Sequence, residues 1–181
     1  MLARAASRDM MRGGKEKRVL ESNTPAQPSL GEAITALRRG EPVLIRDDQI
    51  SVLAIAAELV TEDNLHRLRE ISRAPARVVL TRRRAVALGL APRAELSGAL
   101  TISVSPDMPA AVIRNLANPG ASLGAEPPGF GPAPIVAKGG AHAAVALAKL
   151  AALLPAALVV RLGAAEASAK RSLRSAEGSR C

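Results

Sequence analysis

Residues 42–58 read PVLIRDDQISVLAIAAE, and this pair of short apolar runs around two adjacent acids constrains the chain more than any other feature. Each run is strand-length, rich in Val, Ile and Leu, and bounded by Pro or charge, so it predicts a strand at 43–46 and another at 52–56. Two strands set so close together commit the chain to a sheet. The turn between them places Asp47 and Asp48 at the mouth of a strand. Adjacent carboxylates there have two readings, the start of a metal site or a solvated turn.

At 181 residues and 48% hydrophobic, the chain is long enough for one domain with a substantial core. With one Phe and no Trp or Tyr, that core must be built from Leu, Val, Ile and Ala, and base-stacking platforms for nucleic acid are excluded. The formal net charge is +9, but +5 of it lies in residues 1–28 and 163–181. The remainder favours small anions over a nucleic-acid surface. The densest basic run, Arg82, Arg83 and Arg84, reads as a solvated helix start. Cys181 is the single cysteine, so no internal disulfide framework or cysteine-rich zinc site is available, which fits the cytoplasm. No apolar segment precedes Val19, which argues against a secretory signal. The most apolar region, 141–162, is interrupted by Lys149, Pro155 and Arg161 and falls short of the roughly 20 apolar residues of a spanning helix.

The first 28 residues carry no sustained period and read as a disordered basic extension. Ser29 followed by Glu32 is a capping box, Leu30, Ala33, Ile34 and Leu37 share one helical face, and Gly40 is the stop signal. Further helices are expected at 62–72 capped by Thr61, at 82–88 capped by Thr81, and at 109–117. Strands are expected at 77–80, 99–104 and 135–137. Nine of the sixteen residues in 119–134 are Gly or Pro, an irregular connection of a length more often functional than accidental. A helix at 141–154, apolar on almost every face, belongs inside a layered domain and leads to a strand at 157–162. The last nineteen residues read as a polar tail.

In order along the chain stand AITALRRGEPVLIRDD (33–48), RVVLTRRRAVALGL (77–90), AAVIRNLANP (110–119), PPGF (127–130) and KGGAHAAVALAKLAALLPAALVV (138–160). Together they resemble 3,4-dihydroxy-2-butanone 4-phosphate synthase, a riboflavin-pathway enzyme, over residues 30–162. The resemblance implies an α+β layered domain with a mixed sheet covered by helices, spanning 29–162, and a homodimer with its sites at the interface. In an active enzyme it also implies Mg²⁺ held by Asp47, Asp48 and His142.

This chain departs from the family where the chemistry lies. The family's second acidic cluster, E-D-R-E-N-E-G-D, is replaced by Gln49, Ile50, Ser51 and Val52. Its R-H-G is replaced by REISRAP at 69–75, and its G-V-T-T-G-I-S-A-A-D-R shrinks to SPDMP at 105–109. Its G-H-T-E becomes GGAHAA at 139–144, where His142 aligns with the Glu when counted back from Pro155, or with a His displaced by one when counted from the glycines. Asp47, Asp48 and His142 are thus remnant candidates, with no cofactor expected.

The pattern resembles a degenerate synthase domain preceding GTP cyclohydrolase II in one polypeptide. Where the family adds a final helix and strand this chain has its polar tail, as a truncated fusion would. The leading expectation is a non-catalytic structural or dimerising domain, with a GTP cyclohydrolase II domain and a second copy as partners and neither nucleic acid nor membrane. The alternatives are an active synthase acting on ribulose 5-phosphate and a basic binding module on an unrelated fold.

Overall fold

A computed structural model describes residues 29–46, 50–92, 98–121 and 135–163. The basic extension, Asp47, Asp48, nearly all of the polar tail and most of the Gly/Pro-rich segment lie outside the described residues. In chain order the elements are α1 (Leu30–Arg38), β1 (Val43–Arg46), β2 (Ser51–Ala56), a 3-10 turn (Ala57–Leu59), α2 (Glu62–Ile71), β3 (Arg77–Thr81), α3 (Arg82–Ala87), β4 (Ala99–Ser103), α4 (Ala110–Ala117), β5 (Ile135–Val136), α5 (Gly139–Leu150) and β6 (Ala156–Leu162).

Local chemistry sets most of these boundaries. Ser29 and Glu32 form the expected capping box at α1, and Gly40 turns the chain afterwards at φ 73°. Thr61 caps α2, with Asn64 returning the bond to the Thr61 amide, and the Thr81 hydroxyl accepts from the Arg84 amide at the start of α3.

The six strands form one sheet in the order β1-β2-β6-β3-β4-β5. The layered α+β architecture, one sheet covered by helices, is as expected, and all five described ladders are antiparallel. The reason is topological. The crossover from β2 through α2 to β3 would set two strands parallel and adjacent, but β6 is inserted between them, pairing Leu53 with Val160 on one side and Leu158 with Val78 on the other.

Strand alternation divides the core into two unlike faces. Leu53, Ile55, Val78, Leu80, Ile102, Leu158 and Val160 form a large-aliphatic face covered by α2, the 3-10 turn and α4. The opposite face is built largely from small residues, including Ala54, Ala56, Ala99 and Ala157, and is covered by α1 and α5. Small side chains let α5 come close. At Gly140 an added Cβ would stand 2.8 Å from Val52 Cγ2, so any side chain here would have to displace Val52 or the helix.

Two expectations are corrected. The sequence places α5 inside the domain, whereas it forms an outer layer: Ala144, Val145, Leu147 and Ala148 are buried while His142, Ala143, Ala146 and Lys149 are exposed. Its outer face is alanine rather than charge, which hides the amphipathic period. The helix also runs Gly139–Leu150 rather than 141–154, because the glycines fit the close contact and Ala152, at φ 56°, closes a left-handed turn in which the Leu153 amide donates to Ala148 O.

The second correction concerns the arginine run. Arg83 is exposed, but Arg84 turns inward, donating through Nε to Leu116 O at 2.8 Å and through its terminal nitrogen to Asn115 O and Ala121 O. Partial burial lowers its pKa from the usual arginine value. The orphan carbonyls at the end of α4 account for this orientation. At the other end of α4, where Pro109 offers no capping side chain, Glu62 accepts from the Ala110 amide at 2.7 Å.

Candidate functional site

The site implied by the sequence lies at the sheet end where β1 finishes and β2 begins. Arg46 pairs with Ser51 there, and Ser51 pairs with Leu162 at the end of β6. Above it sits the start of α5, since Gly140 rests on Val52 and Ile45. The fold therefore brings the helix that carries His142 to the strand ends that flank positions 47–49, while Asp47 and Asp48 themselves lie outside the described residues. His142 is exposed on the fourth position of α5.

The first turn of α5 has no side-chain cap and no acidic residue, so its amides add partial positive charge to this end of the sheet. Exposed Arg46, the exposed Arg161 opposite Val52, and Lys138 contribute to the same sign. Among the described residues the charge at this end is positive, and in the sequence Asp47 and Asp48 stand beside it. General acid–base chemistry needs more, namely titratable groups within hydrogen-bond reach of one another.

The neighbouring segments, which replace the family's R-H-G and threonine loop, are tied to backbone. Arg69 donates to Ser105 O and Met108 O at 3.2 Å each. Ser72 is buried, donating its hydroxyl to Arg161 O at 2.5 Å and accepting from the Ala74 amide at 3.1 Å. Met108 closes the short loop by entering the large-aliphatic core. The roles of Arg69 and Ser72 were not signalled by sequence pattern, because backbone carbonyls in a distant loop leave no periodic trace.

Mg²⁺ requires near-octahedral oxygen ligands. Among the described residues no group of three or more His, Cys, Asp or Glu is placed to hold a metal, and His142 is an exposed residue outside any such group. Two of the three residues implied as ligands, Asp47 and Asp48, lie outside the described residues, and His142 alone does not make a site for the ion.

No protein-family model matches the chain. The fold is similar to that of solved 3,4-dihydroxy-2-butanone 4-phosphate synthases. A solved synthase in complex with two magnesium ions superposes with a TM-score of 0.58 at 27% identity, over 75% of this chain and 76% of that one. A two-domain synthase from A. baumannii gives a TM-score of 0.56 at 18% identity, over 75% of this chain and 48% of that one, and so shares the fold. In sequence, the chain is 36% identical over 143 residues to a GTP cyclohydrolase-2 from Azospirillum brasilense, covering 78% of this chain. It spans 37% of that relative's length. The chain is thus related in fold to the synthases and in sequence to a protein named for the cyclohydrolase, which supports a relation to riboflavin biosynthesis.

Proposed function

We propose that residues 29–162 form a non-catalytic synthase-like domain of a riboflavin-biosynthesis protein, a structural or dimerising module that works with a GTP cyclohydrolase II domain. The observation that carries this reading is the use made of polar side chains around the strand ends. Arg69 and Ser72 are spent on backbone groups of their own domain, so they serve the scaffold rather than a phosphorylated substrate. The relative's identity supports the partner. Cys181 being the single cysteine, a three-cysteine zinc site for the cyclohydrolase reaction would have to come from the partner domain.

Synthase chemistry on a sugar phosphate requires charge stabilisation at the developing enediolate and a general acid and base. On this reading Asp47, Asp48 and His142 are remnants of that machinery, and the domain is cytoplasmic. The test is formate release from ribulose 5-phosphate with Mg²⁺ present. Wild type, Asp47→Ala and His142→Ala are all expected at the level of the enzyme-free blank. Turnover in wild type that both substitutions abolish would overturn the proposal and restore an active synthase.

A further inference from the structure

We draw no further inference here: the strongest candidate, the outer face of α5 where Ala143, Ala146 and Leu150 stand exposed at helical spacing, is a stripe of mostly small residues, and nothing in the structure shows what covers it.

Discussion

Gly140 is the position where one added carbon has the clearest consequence. In an exposed helix, Gly→Ala would gain about 1 kcal/mol of propensity. Here the new Cβ would meet Val52 Cγ2 at 2.8 Å, and a β-branched side chain in an interior strand has little room to turn away. Overpacking of this kind costs about 1–3 kcal/mol, so Gly140→Ala is expected to be destabilising by about 1 kcal/mol net. Denaturant melts check this, and adding Val52→Ala should recover a coupling energy of about 1 kcal/mol in a double-mutant cycle. Additive effects would mean that α5 sits further from the sheet than its contact shows. Glu32 supplies a second residue-scale outcome. Hydrogen bonds from the Ser29 amide and then its hydroxyl lower its pKa. The folded carboxyl therefore ionises at lower pH than the unfolded one, and the capping box contributes fully above the ordinary carboxylate range. That contribution fades as pH falls through this range to the depressed folded value. Glu32→Gln should flatten this part of the stability–pH profile; an unchanged acid limb would contradict the assignment.

Among the elements, α4 depends most on others for its ends. Glu62 of α2 meets its first amide and Arg84 of α3 meets its last carbonyls, each with the sign that the helix dipole favours. Arg114 of α4 returns a bond to Val60 O at 2.6 Å, tying the helix to the 3-10 turn. Arg84→Met would leave these carbonyls without their donor and is expected to cost about 1–3 kcal/mol, measured by chemical denaturation. Arg84→Lys should recover less than half of that, because an ammonium cannot span several acceptors as a planar guanidinium does. Helix starts were legible in the sequence wherever the cap is local, as at Ser29, Thr61 and Thr81. The 3-10 turn was not, since it is anchored by Glu58 accepting from the distant Leu154 amide. The inward turn of Arg84 escaped for the same reason. Of the candidate site, the sequence brought out His142 as a surface residue at a helix start, but not which side of that helix the sheet covers, because alanine on both faces conceals it.

For the molecule as a whole, the aliphatic, two-faced core places helices on both sides of one sheet and leaves Ile135 and Val136 more than half exposed on the edge strand β5. Dimerisation, part of the function proposed for this domain, should bury on the order of 800 Å² per partner or more. Light scattering at micromolar concentrations is expected to report a dimer, and a strict monomer across that range would remove the dimerising role while leaving the structural one. The position of β6 has a further consequence. It is the last described strand, yet it lies at the sheet's centre and joins β1–β2 to β3–β4–β5. A nascent chain on the ribosome can form the two outer portions as they emerge, but nothing unites them into one sheet until Leu162 has been made and released from the exit tunnel. Any chain ended by premature termination before Ala156 would present the inner edges of β2 and β3 without a partner, and such edges recruit other strands. Quality control would meet such a product as an aggregating one rather than as a smaller working domain.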